Sequence, residues 1–204
     1  HITSPDKKPS IHLFDGEATS RRIMTYGLSP YLIDHPSDEQ YLRELASSSI
    51  YRDIIELDLI ENRRVAAELL KLLAYQIGNL ISYAELASKL GVDVRTVKRY
   101  ITIFEQSFIL FRLYPYTASR RDEIAKAPKI YFYDLGIRNA ILEDFSDPTF
   151  RRDFGAIFEN FIISEVIKHN SYTNTGYNLF FWRTTQGAEI DLVLQKTDSL
   201  VGCE

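Results

Sequence analysis

"ISYAELASKLGVDVRTVKRYITIFEQSFILFRLYPY", residues 81–116, decides how the chain folds. Ser82 with Glu85 three residues on predicts a capping box that opens a short helix, and Gly91 closes it. Asp93 predicts the N-cap of a second helix over "VDVRTVKRYITIFEQSF". Its apolar stripe is Val94, Val97, Ile101, Phe104 and Phe108. Rotated about 100° away lie Arg95, Lys98, Arg99 and Thr102. The strand-like run "FILFRLYPY" follows. A second, "KIYFYD" (129–134), lies beyond a polar, basic, Pro-bounded loop, "TASRRDEIAKAP" (117–128).

Upstream, "VAAELLKLLAYQIGN" (65–79) predicts an amphipathic helix with Val65, Leu69, Leu72, Leu73 and Ile77 in one stripe and Gly78 as its stop. Before it, "DEQYLRELASSSIYRDIIELDLIENRR" (38–64) reads as helical, through Leu42, Leu45, Ile50, Ile54 and Ile55. The first ~30 residues predict irregular structure with one short helix.

Three helices joined by tight turns, then a hairpin, have the layout of a winged helix-turn-helix. In that layout the third helix enters a DNA major groove with Arg95, Lys98, Arg99 and Thr102 outward, and Arg120, Arg121 and Lys126 of the hairpin loop meet phosphates. The competing reading is a packing module whose basic face is solvated, or one that docks a protein. Charge is uneven along the chain. Residues 1–78 hold 9 basic and 12 acidic groups (net −3), 79–130 hold 9 and 5 (+4), and 131–204 hold 6 and 11 (−5). A basic middle suits an anionic partner, although chance alone produces such windows.

No run of about 18 apolar residues occurs, so no transmembrane helix is expected, and the polar start shows no signal peptide. A cytoplasmic location is the expectation. The single cysteine, Cys203, excludes an internal disulfide or a cysteine zinc cluster, and reads as a small core residue. The four histidines, at 1, 12, 35 and 169, offer no nucleophile triad.

The final third predicts a helix "GIRNAILE" (136–143), a linker "DFSDPTFRRD" (144–153) and a helix "GAIFENFIISEVIKHN" (155–170). Strands "NLFFWRT" (178–184), "EIDLVLQ" (189–195) and "LVGCE" (200–204) complete it. On a helical projection Glu159 lies among Ala156, Ile162, Ile163 and Val166, opposite an expected solvated face of Asn160, Ser164, Glu165 and Lys168. Strand alternation places Glu189, Asp191 and Val193 on one face. Carboxylates in apolar surroundings need a cation, a hydrogen-bond network or a cleft. Glu159, Asp191 and Glu204 converging would make a site for Mg²⁺ or Mn²⁺, able to activate water against a phosphodiester. Alternatively Glu159 caps or pairs with Arg183 or Arg138, and Asp191 bonds backbone amides.

Six stretches carry a resemblance: "YGLSPYL" (26–32), "SIYRDII" (49–55), the run from Leu72 to Tyr116, "KAPKIYFYDLGIRNAIL" (126–142), "GAIFENFIISEV" (155–166) and "FFWRTTQGAEIDLVL" (180–194). In this order they resemble the C-terminal half of a large group of prokaryotic AAA+ ATPases, over roughly residues 26–204. That group's C-terminal domain is similar to the PD-(D/E)XK nuclease-like fold. The resemblance gives Glu159 the role of the helix glutamate, Asp191 that of the strand aspartate, and Glu204 that of the acidic member of the (D/E)XK element. The lysine of that element would lie two residues past Glu204, where the sequence has ended. No G-x-x-x-x-G-K-[ST] is present, since none of the nine glycines precedes a lysine. ATP would therefore bind only in an N-terminal module outside this chain, through which oligomers would also form.

The expected class is α+β. Residues 1–62 are read as a helical region resembling the tail of an AAA+ lid, 63–135 as the winged helix-turn-helix, and 136–204 as a partial nuclease-like α/β domain. The expected function is a DNA-associated module of an AAA+ ATPase, with a metal-dependent nuclease-like site incomplete in this chain. The alternative is a protein-interaction or regulatory module whose nuclease-like part is structural. On either reading this chain alone is not expected to be an active enzyme.

Overall fold

The computed structural model describes residues 16–55, 60–117, 126–184, 186–197 and 199–203, with main chain only over 48–55. Arg120, Arg121 and Glu204 lie outside the described residues, as do the side chains of Ile50, Ile54 and Ile55. The fold is α+β, as the sequence predicts. Helices α1 (Gly16–Tyr26), α2 (Tyr31–Asp34) and α3 (Glu39–Ile55) lead into α4 (Arg63–Tyr75), α5 (Tyr83–Leu90) and α6 (Val94–Gln106). Strands β1 (Leu110–Pro115) and β2 (Lys129–Phe132) follow, then α7 (Leu135–Leu142) and a 3₁₀ turn at Pro148–Phe150. Helix α8 (Phe154–Tyr172) precedes β3 (Asn178–Arg183), β4 (Glu189–Lys196) and β5 (Ser199–Cys203).

The caps form where side-chain chemistry places them. Asn62, Ser82 and Asp93 accept hydrogen bonds from Val65 N (3.2 Å), Glu85 N (3.2 Å) and Arg95 N (2.7 Å). Gly91 closes α5 in the left-handed conformation. Of the expected capping box, the bond from Glu85 N to Ser82 is formed, while the Glu85 carboxylate pairs forward with Lys89 at 2.6 Å. Helix α6 buries Val97, Tyr100, Ile101, Ile103 and Phe104. Phe108 does not belong to that stripe. The helix stops at Ser107, and Phe108 follows at φ +55°, exposed and tilted against Tyr133.

One five-stranded sheet runs β2-β1-β3-β4-β5, antiparallel except for the short parallel pairing of Tyr114 and Pro115 with Phe180 and Phe181. The β1–β2 hairpin is buried on both faces. Leu110, Ile130 and Phe132 face a core shared with α1 and α3–α7. Phe111, Leu113 and Tyr131 face a second core with Ile163 of α8, Phe181 and Leu192. Strand β2 is an edge, and its free side is covered. Gly78 N donates to Ile130 O at 3.1 Å and Ile81 N to Pro128 O at 3.0 Å. The Asn160 amide then clasps Phe132, accepting from its N at 2.9 Å and donating to its O at 2.8 Å. Strand β5, the other edge, is exposed throughout, so Cys203 is a surface thiol and not the core residue expected.

Candidate functional site

Strand alternation on β2 sends Ile130 and Phe132 into the helical core, and Lys129 and Tyr131 the other way. There they meet Glu159 of α8 and the two carboxylates at the start of β4. The Lys129 Nζ lies 2.7 Å from Glu189 Oε1, 3.0 Å from Glu159 Oε1 and 3.3 Å from Asp191 Oδ1. The Tyr131 hydroxyl donates to the same Glu159 oxygen. Phe181 presents its ring face 5.4 Å from the ammonium. Arg183, facing Glu189 across the β3–β4 pairing, places Nε 3.7 Å from its second oxygen. Backbone packing is close here. Gly78 has φ +74°, and a Cβ on it would stand 3.2 Å from Glu159 Oε2.

The sequence reading finds two members of this cluster, Glu159 and Asp191, and leaves Glu189 without a role. It misses Lys129 and Tyr131. Their signal was present: "KIYFYD" alternates, and its polar members share a face. Three expectations are corrected. Glu159 pairs with neither Arg183 nor Arg138. Asn160 is buried against β2 and Ser164 is buried as well, while Ile162 is exposed, because Asn160 satisfies the free edge of β2. Val193 leaves the face of the carboxylates. The β3–β4 register slips by one residue between Phe180 and Trp182, so Ile190 and Val193 line one apolar cavity and Leu192 enters the core under α8.

Lys129 is only 4% exposed, whereas Asp191 is 44% exposed. Burial acts against the ammonium, but the hydrogen bond it donates to Glu189 and the charge of Glu159 outweigh it and raise the Lys129 pKa. Tyr131 is held protonated by burial and by the Glu159 carboxylate, which raise its pKa far above the usual phenol range. It is thus a permanent donor to Glu159. Three carboxylates are the hard donors that Mg²⁺ or Mn²⁺ takes. Their centre, however, is the seat of an ammonium, at ammonium distances. Among the described residues no group of three or more acidic, histidine or cysteine side chains is arranged to hold a metal ion.

The residues of the expected DNA face are dispersed in their engagements. Arg95 and Lys98 are exposed on α6, and Thr102 is half-buried. Lys98 lies over the Tyr83 ring at 5.2 Å, and Arg99 pairs with Glu61 at 3.0 Å. Lys126 is exposed just before β2. No helix among the described residues is long and apolar enough to cross a membrane.

Residues 18–148 match the model of the family described as Domain of unknown function (DUF8612). Residues 154–204 match Domain of unknown function (DUF4143), a domain typically found with AAA ATPases. The uncharacterized protein Rv2008c of Mycobacterium tuberculosis is 30% identical over 135 residues, covering 65% of this chain and 30% of that protein. The uncharacterized protein MJ1637 of Methanocaldococcus jannaschii is 24% identical over 192 residues, covering 91% of this chain and 39% of that protein. The chain thus spans about a third of the length of these curated relatives. No solved structure matches it.

Proposed function

The chain belongs to the family described as Domain of unknown function (DUF8612), and from that premise we propose that it is a DNA-associated accessory module of an AAA+ ATPase. The observation that carries this is the two-sidedness of α6. Its inner face is packed by Val97, Tyr100, Ile101 and Phe104, while Arg95 and Lys98 stand in solvent beside Thr102. Helices α4 and α5 and the β1–β2 hairpin support that helix as in winged-helix readers of the major groove. Arg99 contributes less, because Glu61 already neutralises it. Arg120, Arg121 and Lys126 supply the phosphate contacts of this reading, and a P-loop module elsewhere in the parent protein supplies ATP binding. The test is duplex binding by fluorescence anisotropy across a salt series. Arg95→Ala or Lys98→Ala should each weaken binding and lower the log–log salt slope by about one. A slope that is flat and insensitive to both would defeat the reading.

The nuclease-like part of the proposal assigns Mg²⁺ or Mn²⁺ to Glu159, Asp191 and Glu204. The donor chemistry suits those ions, but the seat of Lys129 does not, so no hydrolytic step is derived through a metal. Calorimetry with Mn²⁺ separates the cases: a latent ion site should bind more tightly in Lys129→Met and not at all in Asp191→Ala. Equal heats in wild type and both variants would leave the cluster structural.

A second reading, a protein-interaction or regulatory module, is favoured by a separate observation. Phe154, Phe158 and Ile162 are exposed at four-residue spacing along α8. Phe158→Ser would then abolish association with the ATPase portion while leaving DNA binding intact.

A further inference from the structure

Beside the Lys129 cluster lies a cleft of about 440 Å³, within the usual range for small-ligand sites. Pro115 and buried Phe181 are in its lining, together with Leu80 and Tyr116. Lys126 and Arg183 also line it, and among the described residues no carboxylate does. The lining is fixed by main-chain bonding, since Tyr116 N donates to Phe181 O at 2.6 Å. The Tyr116 ring meets Phe180 edge-on at 5.7 Å, which holds its orientation. Phe181 connects the cleft to the cluster, because its ring also faces Lys129 Nζ. Arg183 connects them a second time through Glu189.

We propose that this cleft binds a nucleotide unit, its phosphate between Lys126 and Arg183 and its base against Tyr116. Two cations with no acid among the described lining residues, Arg183 being paired with Glu189 only at 3.7 Å, select an anion, and an apolar lining with an aromatic ring selects a flat partner. The occupant is a nucleoside phosphate, either the end of a single DNA strand or a free nucleotide. The proposal rests on the DNA reading above for the polymer alone; the cleft by itself specifies the phosphate and the ring. Seated there, a strand end lies next to the carboxylate–lysine cluster. The carboxylates repel its phosphates, and Lys129 neutralises part of that repulsion.

The test titrates the full chain with 5′-phosphorylated tetrathymidylate and, separately, with dTMP. A four-nucleotide single strand is too short to engage α6 as a duplex does. Lys126→Gln, Arg183→Gln and Tyr116→Ala should each weaken binding about tenfold, with Arg95→Ala without effect. Tetrathymidylate binding tighter than dTMP identifies a strand end as the occupant, and equal affinities identify a free nucleotide. Unchanged affinity in Lys126→Gln, an exposed and fold-neutral substitution, overturns the proposal, as does absence of binding to both probes. Duplex binding that still depends on Arg95 would then show that the broader reading survives the loss. Tetrathymidylate binding without any duplex binding would show the reverse.

Discussion

At the scale of a single residue, Lys129 decides the character of the site. One ammonium, on β2, neutralises part of three carboxylates that would otherwise repel one another between α8 and β4. Removing it in Lys129→Met leaves those charges together in a half-buried place. The expected cost is about 2–4 kcal/mol in urea unfolding at neutral pH, below the full cost for a wholly buried pair because solvent reaches Asp191. Adding Glu189→Gln to that variant should recover part of the loss, since it removes one repelling charge. The pH dependence has a definite sign. The folded pKa of Lys129 is raised above its ordinary 10.5, so its contribution is fully present below that value. It fades as pH rises through the higher folded value. Wild type should therefore lose stability above about pH 10.5 more steeply than Lys129→Met, whose alkaline profile lacks this term.

At the scale of elements, the same principle explains what could be read in advance and what could not. The caps at Ser82 and Asp93 and the glycine stop at Gly91 are local, and they bound α5 and α6 directly. The shared face of Glu189 and Asp191 follows from alternation over three residues. Alternation fails one step further, at Val193, because the slip in register depends on β3 and not on the β4 sequence. The orientation of α8 was unreadable for a related reason. Its projection assigns Asn160 to water, yet Asn160 is wholly buried because a strand edge lies beside it. Hydrophobic periodicity has no term for a main-chain edge that requires an amide. Asn160→Leu therefore replaces a polar residue in the interior with an apolar one of similar size and still should destabilise. It orphans Phe132 N and O, at about 1–3 kcal/mol each. Denaturant midpoints measure this, and a neutral result would mean that water replaces the amide. Gly78→Ala should cost about 1 kcal/mol through its positive φ alone, and more if the Glu159 carboxylate is pushed aside.

At the scale of the molecule, the two family models meet between residues 148 and 154, and the structure fastens that junction twice. The first fastening is the sheet, continuous from β2 to β5. The second is a polar network around Arg138, which is buried. Its Nε donates to Ala74 O at 3.0 Å, and its Nη2 reaches Asp153 Oδ2 at 2.6 Å. Arg151 bonds the same carboxylate at 2.9 Å, and Asn139 donates to Met24 O and Thr25 O, each at 2.9 Å. Helices α1, α4 and α7 are thereby tied to the residue that precedes α8. Burial works against the Asp153 carboxylate, but the hydrogen bonds from Arg151 and Arg138 prevail and depress its pKa to about 2. That contribution is present above the ordinary 3.8 and is lost as pH falls through about 2. The single tryptophan, Trp182 in β3, reports the sheet by fluorescence, while far-ultraviolet dichroism reports mainly the helices. In wild type at neutral pH the two denaturation curves should coincide, because both fastenings hold. In Asp153→Ala they should separate, leaving Arg138 buried without its carboxylate and weakening the helical part first. Acidification of wild type toward pH 2 should bring on the same separation, with little further change in the variant. Coincident curves in Asp153→Ala would show that the sheet alone couples the two parts.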